Sequence, residues 1–346
     1  MFPKDNLVAE TMDIAGTPFP PGSTPVHIAL AADQKYVRHT GTAAYSVLAH
    51  NADMPIHFHL MVDSIGQDDI ARFQKLQNCA GVGTPFRITL HFLNKSLFDG
   101  LPTYKWFSPA TYYRLAIPTV LEGIADRVLY LDADVLCTGS LKELFGMDME
   151  GKTAACAADK ILFADYIPTL YRFGFSPLSV YFNAGVMLID IGMWHAARTN
   201  EKMKAVQEKV GTEKLWLLDQ DMLNLALDGS IRYLPEQYNW LRWQQKYTDF
   251  AENHAQIRLV HFVGGIKPWH WLGFNPTYDA CRRASPWADI PYEVQQNPPR
   301  NPFVYKQYPK MFRIAARQSW VRGEKRRAAA YFAEFLRQKI LTPIRK

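Results

Sequence analysis

The chain has 346 residues, of which 48% are hydrophobic, 13% aromatic and 21% charged. This composition is too apolar for a disordered chain, and the length suits one large domain or a domain with an appendage. Mean hydropathy is −0.19, and no apolar run approaches the roughly 20 residues of a membrane-spanning helix. The first residues include acids where a secretion signal needs a basic and then an apolar region, so we expect a cytoplasmic protein.

In chain order, strands and helices alternate through the first half of the sequence. Apolar or alternating runs predict strands at 26–32, 56–62, 86–93 and 127–131, and helical spacing predicts helices at 36–50, 68–77 and 111–117, the last of them stopped by Pro118. This alternation is typical of an α/β fold built on a largely parallel sheet. Residues 1–25 contain five prolines and little periodicity, which predicts an extended arm.

The second half of the sequence is less regular. Strands are predicted at 153–158, 186–191 and 257–261, and helices at 194–210 and 219–227. A proline-rich linker beyond Pro286 precedes a predicted helix at 311–341 that breaks near Gly323. We therefore expect an N-terminal arm (1–25), an α/β domain (26–275), and a C-terminal linker with a basic helical region (276–346).

The net charge of +6 is distributed unevenly. From Arg300 to Lys346 there are 13 basic and 2 acidic residues, whereas the preceding 299 residues contain 26 basic and 31 acidic ones. The basic C-terminal region is either a solvated helix face or a surface for an anionic partner, such as a membrane, an acidic glycolipid or nucleic acid.

Two aspartates follow the predicted strand at 127–131. Side chains alternate along an extended backbone, so Asp132 and Asp134, which flank Ala133, point the same way. Carboxylates at the C-terminal end of a strand in an open α/β sheet suit a divalent cation. Acids are also common where a strand becomes a turn, and an ordinary strand end is the alternative.

A second polar group follows the predicted strand at 257–261. His261 ends the strand, Gly264 and Gly265 permit close approach of the backbone, and Lys267 adds a cation. These residues are typical of a diphosphate clamp beside a metal. The alternative is a core histidine followed by an ordinary glycine turn.

Three shorter patterns also contain polar residues next to predicted elements. They are Asn183-Ala184-Gly185 before an apolar strand, Asp219-Gln220-Asp221 before an amphipathic helix, and Ala31-Ala-Asp33 at the end of the first strand. Their structural alternatives are a plain turn, a helix N-cap and a loop aspartate. The glycine motifs of P-loop and dinucleotide-binding proteins do not occur in the sequence, and the four cysteines have no C-x-x-C spacing, which predicts reduced thiols.

The order and spacing of these motifs, together with Tyr112-Tyr-Arg114-Leu, resemble glycosyltransferase family 8. This family contains the bacterial lipopolysaccharide galactosyl- and glucosyltransferases and glycogenin. The resemblance extends from Val26 to about Phe274. Downstream, Ala284-Ser-Pro-Trp287 and the basic aromatic tail resemble the branch that builds the lipopolysaccharide outer core.

The resemblance implies a GT-A fold and retaining transfer of galactose or glucose from a UDP-hexose, with Mn²⁺ or else Mg²⁺, to a lipopolysaccharide core or related glycolipid. The family's metal ligands correspond to Asp132, Asp134 and His261. Its nucleotide and diphosphate contacts correspond to Ala31, Asp33, Arg114, Asp132, Ala133, Asp134, Gly264 and Lys267. Its sugar-binding positions correspond to Asp159, Asn183, Ala184, Asp219 and Gln220, with Gln220 and Asp219 as the catalytic candidates.

Several alternatives stay open at this stage. Lys35 departs from the family, since some members have asparagine there. An amide such as that of Gln220 is a poor nucleophile, so double displacement and front-face attack are both compatible with the motif. Other functions are a nucleotide-diphospho-sugar hydrolase, a transferase acting on another glycan or on protein, and a metal-free homologue.

The basic tail interleaves cations with aromatic and aliphatic residues, which is typical of a helix that lies in the headgroup region of a membrane. We therefore expect peripheral association with the cytoplasmic face of the inner membrane. A helix packed on the catalytic domain is the alternative. No nucleic-acid partner is expected, because no RNA-binding signature accompanies the tail. The residues concerned are Phe312, Arg313, Ile314, Arg317, Trp320, Val321, Arg322, Lys325, Arg326, Arg327, Tyr331, Phe332 and Phe335.

Overall fold

The computed structural model describes residues 2–103, 108–159, 166–242, 255–265, 267–270, 273, 275–293, 308–321, 323 and 325–341. The chain divides into two compact units. The first contains Met1–Phe262 and Cys281–Asp289, and the second contains Val263–Ala280 and Ile290–Lys346. The domain boundaries expected from the sequence remain a prediction.

The described strands are β1 (Val8–Gly16), β2 (Val26–Ala32), β3 (Ile56–Val62), β4 (Phe86–Leu93), β5 (Arg127–Leu131), β6 (Val135–Cys137), β7 (Ala154–Ala158), β8 (Phe182–Asp190), β9 (Ile231–Tyr233), β10 (Trp240–Leu241) and β11 (Leu259–His261). The described α-helices are α1 (Val37–His50), α2 (Gln67–Gln74), α3 (Ile117–Val120), α4 (Lys142–Phe145), α5 (Ile167–Arg172), α6 (Ile191–Ala196), α7 (Thr199–Val210), α8 (Asp219–Ala226), α9 (Pro276–Ala284), α10 (Tyr308–Val321) and α11 (Lys325–Leu341).

The first unit is built on a mostly parallel sheet with the strand order β1-β4-β3-β2-β5-β8-β7-β9. Strands β4, β3, β2 and β5 are parallel, whereas β8 is antiparallel to both β5 and β7. The inner strands are almost wholly buried, as expected for parallel strands covered on both faces. The predicted α/β class with a largely parallel sheet is confirmed. A small sheet, β10-β11-β6, extends from the end of β5.

Three details differ from the elements predicted by pattern alone. Strand β1, in the segment predicted as an extended arm, pairs antiparallel with β4 at the sheet edge. The predicted helix at 194–210 is two helices, with Arg198 between them at φ 53°. The predicted helix at 111–117 is a 3-10 helix over Pro109–Ala116, and Pro118 lies in the first turn of α3, which follows it directly. Proline is tolerated there because a first-turn amide has no helical acceptor.

In the second unit, α10 and α11 pack against each other, and Gly323 lies between them at φ 75°. The buried residues of this pair include Phe312, Ala316, Ala328 and Tyr331. Among the residues described, no helix has the length and hydropathy needed to span a membrane.

Candidate active site

The two predicted aspartates lie at the C-terminal end of β5, next to His261 of β11. Strand β6 begins directly after Asp134 and pairs antiparallel with β11, in a register that sets His261 opposite Val135. The Phe262 amide also donates to the Asp134 carbonyl oxygen at 3.0 Å. The small sheet thereby brings a histidine from late in the chain to the carboxylate pair.

The three side chains form one compact group of donor atoms. Nε2 of His261 lies 3.3 Å from Asp134 Oδ1 and 3.6 Å from Asp132 Oδ2. The three ligand atoms all lie within 4.8 Å of one another. Two carboxylates and one imidazole suit a divalent cation that completes its coordination with substrate oxygens, such as Mn²⁺ or Mg²⁺.

Hydrogen bonds orient the His261 ring for this role. Nδ1 of His261 lies 3.1 Å from Oδ1 of Asn239, and the Asn239 amide nitrogen donates to Asn183 Oδ1 at 3.0 Å. Because the Asn239 oxygen can only accept, Nδ1 of the ring donates to it, and Nε2 is the nitrogen that faces the two carboxylates. Outer hydrogen bonds of this kind are typical of metal-binding histidines.

Because Gly185 of β8 has no side chain, it leaves room for the side chains of His261 and Asp132. A Cβ atom at this position would lie 2.2 Å from His261 Cε1 and 2.7 Å from Asp132 Oδ2. The Asp132 amide also donates to the Gly185 carbonyl oxygen at 2.8 Å. The donor set therefore suits a metal, and a side chain at position 185 would displace His261 or Asp132.

Arg114 joins the aspartate pair to a third carboxylate. Its Nη2 lies 3.0 Å from Asp132 Oδ1, and its Nε lies 2.8 Å from Asp219 Oδ2. Nη1 also donates to the Ala184 carbonyl oxygen at 2.9 Å. Burial lowers the pKa of Arg114, but the charges of Asp132 and Asp219 outweigh burial and raise it overall. The guanidinium is therefore a fixed positive charge in the site.

Asp219 is almost fully buried at the start of α8. Thr111 donates to its Oδ1 at 2.8 Å. Burial raises the pKa of Asp219 to about 6, against the opposing effect of Arg114, so the carboxyl is mostly ionised at neutral pH. Three carboxylates against one guanidinium leave the site with a net negative charge, which a divalent cation would compensate.

Asp159, Asn183 and Gln220 form a second polar group. Asn183 Nδ2 and Gln220 Nε2 each donate to Asp159 Oδ2 at 3.1 Å. Oε1 of Gln220 accepts from the Ala184 amide at 3.0 Å. Asn183 also connects to Asn239, so the polar group and the metal-ligand group share one hydrogen-bond network. The structure thus brings together residues that are widely separated in the sequence.

Sequence reasoning missed several members of this network. Tyr130 donates to Asp132 Oδ1 at 2.5 Å, and strand alternation could have indicated it. Asp221 accepts from the Tyr166 and Tyr181 hydroxyls at 2.6 and 2.5 Å, although the motif containing it was recognised. No sequence pattern pointed to Asn239, because it is an isolated asparagine before a strand of only two residues.

The remaining predicted site residues have the following positions. Ala31 is in β2, and Asp33 accepts from the Lys35 and Tyr36 amides at 3.0 and 3.1 Å, so it forms the turn before α1. Gly264 has φ 94°, which glycine adopts readily. The Lys267 amide donates to His270 Nδ1 at 3.0 Å. Gly264 and Lys267 belong to the second unit, and their contact with a diphosphate stays a prediction.

The mostly parallel sheet with an acidic, histidine-containing group at its strand ends is typical of GT-A glycosyltransferases. Residues 27–273 match the family described as glycosyl transferase family 8. The chain belongs to this family, as its motifs predicted, and it is an enzyme that transfers a sugar.

Named relatives agree with this assignment. The chain is 30% identical over 272 residues to the lipopolysaccharide 1,3-galactosyltransferase of Salmonella typhimurium, covering 76% of this chain and 79% of that protein. It is 29% identical over 283 residues to the lipopolysaccharide 1,2-glucosyltransferase of Escherichia coli K12, with the same coverage. The crystal structure of the galactosyltransferase LgtC in complex with donor and acceptor sugar analogues has a TM-score of 0.62 and 27% identity, covering 78% of this chain and 98% of that chain.

Proposed function

We propose that this enzyme transfers galactose or glucose, with retention, from a UDP-hexose to a lipopolysaccharide core or related glycolipid. The observation that carries the proposal is the group formed by Asp132, Asp134 and His261, joined through Arg114 to Asp219. The similarity to galactosyl- and glucosyltransferases that act on lipopolysaccharide supports the choice of donor and acceptor.

In this proposal Asp132, Asp134 and His261 hold Mn²⁺, which when bound neutralises the charge of the departing diphosphate. Arg114 adds a fixed positive charge at the same place. Asp219 holds Arg114 in position through the 2.8 Å contact. By family resemblance alone, Asp33 corresponds to a nucleotide contact, and Gly264 and Lys267 correspond to diphosphate contacts.

Gln220 positions the transferred sugar rather than attacking it. Its amide oxygen already accepts from the Ala184 amide, and its nitrogen donates to Asp159. An amide that makes both hydrogen bonds has a fixed orientation and little nucleophilic character. This supports attack by the acceptor on the face that the leaving group vacates, with Asp159 and Asn183 next to the sugars.

A donor and acceptor panel tests the proposal. The full chain is incubated with UDP-galactose, UDP-glucose and other UDP-sugars, with truncated lipopolysaccharide acceptors and with Mn²⁺, Mg²⁺ or chelator. We expect metal-dependent transfer of one hexose with the anomeric configuration kept. UDP release at the same rate with and without acceptor would instead identify a nucleotide-diphospho-sugar hydrolase.

We also propose peripheral association with the cytoplasmic face of the inner membrane, through α10 and α11. Apolar side chains on these helices are exposed, including Trp320 at 65%, Val321 at 79% and Phe332 at 50%. Exposed cations on the same helices include Arg313, Arg317, Lys325 and Arg326, while Arg322 lies outside the described residues. Exposed apolar and cationic side chains together favour binding to anionic lipid headgroups.

The membrane proposal is tested by sedimentation with vesicles of phosphatidylglycerol and phosphatidylethanolamine. The double variant Trp320→Ser with Phe332→Ser is compared with Leu178→Ser, which removes a 96% exposed leucine from the first unit. We expect the double variant to lose vesicle binding at low salt and the control to keep it. Equal binding by both variants would contradict the proposal.

A further inference from the structure

Four histidines lie on one face of the sheet, outside the active site. The strand registers pair His27 with His57, His59 with Thr89, and Met61 with His91. Residues two positions apart share a face, so His27, His57, His59 and His91 form a patch across β2, β3 and β4. His59 and His91 are buried, and His27 and His57 are half-buried.

The patch is separate from the catalytic group. His27 is opposite Val128 in β5, whereas Asp132 follows the other end of that strand. Four residues of extended chain span about 13 Å. A ligand held by this patch would therefore not touch the residues assigned to the reaction.

Three of these rings place ligand nitrogens close together. His27, His57 and His59 each offer a nitrogen, and the three nitrogens lie within 4.8 Å of one another. Nδ1 of His27 is 3.0 Å from Nε2 of His59. Two histidine nitrogens on one tetrahedral zinc ion are roughly 3.3 Å apart, given Zn–N bonds of about 2.0–2.1 Å. The existing separation is within a few tenths of an ångström of that value.

Outer hydrogen bonds set the tautomers of two of the rings. Thr89 donates to Asp13 Oδ1 at 2.5 Å and lies 2.8 Å from His57 Nε2. Thr89 therefore accepts from His57 Nε2, which leaves Nδ1 of His57 as a bare nitrogen. Such relays orient metal-binding histidines.

The second relay passes through His91. Nδ1 of His59 lies 3.0 Å from Nε2 of His91. When His59 donates in this contact, its Nε2 faces His27 as a lone pair. A metal would then replace the proton between His27 and His59, and that proton would move to the other nitrogen of His27, with no net proton release.

Electrostatics of the patch are compatible with a cation. Burial lowers the pKa of His27, His57 and His59, that of His57 to about 4, so the three ligand rings are neutral at pH 7. The charge of Asp13 raises the pKa of His57 and of His91 and would attract a cation, whereas Arg87 lowers the pKa of His57. Imidazole nitrogens without carboxylate ligands favour Zn²⁺ over Mn²⁺ or Mg²⁺.

We propose that His27, His57 and His59 form a second metal site that binds Zn²⁺, with solvent water as the fourth ligand. The site would connect β2 to β3 at the end of the sheet away from the catalytic group. It is independent of the proposed sugar-transfer function, since none of its residues belongs to that machinery.

Equilibrium dialysis of the full chain against Zn²⁺ tests the site. The background variant Asp134→Asn with His261→Gln removes the catalytic metal ligands, so bound zinc is counted at the second site alone. We expect one equivalent of Zn²⁺ in this background and none after adding His57→Gln or His27→Gln. The matched control is His50→Gln, which changes a histidine whose Nδ1 contacts the Ser46 carbonyl oxygen of its own helix, and it should keep the equivalent.

Two further measurements keep the result decisive. Co²⁺ should give the intense visible absorption of tetrahedral coordination in the background variant, and His57→Gln should abolish it. Zinc should also raise the melting temperature of the background variant only while both histidines are present, and melts in chelator verify that each variant is folded. Absence of bound zinc in the background, or zinc retained by folded His27→Gln and His57→Gln, would overturn the proposal.

Discussion

Replacing Gly185 with alanine should disable the proposed metal site without unfolding the protein. The new Cβ would lie 2.2 Å from His261 Cε1, whereas carbon atoms pack at about 3.5–4.0 Å. The histidine or the strand must therefore move by more than about 1 Å. Misplacement of this size costs roughly 10²-fold in rate, and overpacking costs about 1–3 kcal/mol of stability.

The assay follows hexose transfer and Mn²⁺ binding together. Initial rates are measured across a Mn²⁺ titration, and free Mn²⁺ is measured by electron paramagnetic resonance. We expect Gly185→Ala to need much more Mn²⁺ and to remain slower at saturation, with a cooperative thermal melt. Mn²⁺ titration separates loss of the metal site from general instability, because instability alone would not change the metal affinity of the folded fraction.

A second glycine provides the matched control. In Gly192→Ala the new Cβ would lie 3.5 Å from Asp190 Oδ1, which is ordinary contact. This variant should keep both the Mn²⁺ dependence and the rate. Equal Mn²⁺ affinity and equal rate in Gly185→Ala and the wild type would refute the assignment of this glycine to the metal cradle.

The other predictions concern the polar side chains. Alanine at Asp134 or His261 should lower Mn²⁺-dependent transfer by roughly 10²-fold or more, with the fold retained by circular dichroism; near-normal transfer would contradict the metal assignment. Gln220→Ala should lower kcat far more than it weakens UDP binding measured by calorimetry. An unchanged kcat would show that Gln220 has only a structural role at the start of its helix. Because burial raises the pKa of Asp219 to about 6, its carboxyl loses its charge as the pH falls through that value and no longer holds Arg114. Wild-type kcat/KM should therefore fall below about pH 6, and Asp219→Asn should be slower at neutral pH and lack this acid limb; the same limb in the variant would exclude Asp219 as its source.

The fold class and most inner elements were predictable because they depend on local periodicity. Strands β3 and β4 have the predicted bounds. A short apolar or alternating run that is bounded by turn residues is typical of a strand. The helix break near Gly323 was also predicted, because glycine readily adopts the positive φ found there. The pairing of β1 with β4 was not, since the choice of a neighbour at a sheet edge depends on residues far away in the chain.

For the site, the sequence by itself determined the chemistry of the candidate ligands. Alternation along an extended backbone was enough to place Asp132 and Asp134 on one side of the chain. The family motifs then added Arg114 and gave His261 and Gln220 their roles by position. Both kinds of inference use short stretches of sequence, which is why they identify residue types but not contacts.

Only the tertiary structure decided how these residues act on one another. The register of β6 with β11 brings His261 to Asp134, and the lack of a side chain at Gly185 leaves room for the ligands. The link from Asp132 through Arg114 to Asp219 joins segments from three parts of the chain. Burial and the charges of partners set the pKa of Asp219, and these depend on the packed fold because neither exists in the extended chain.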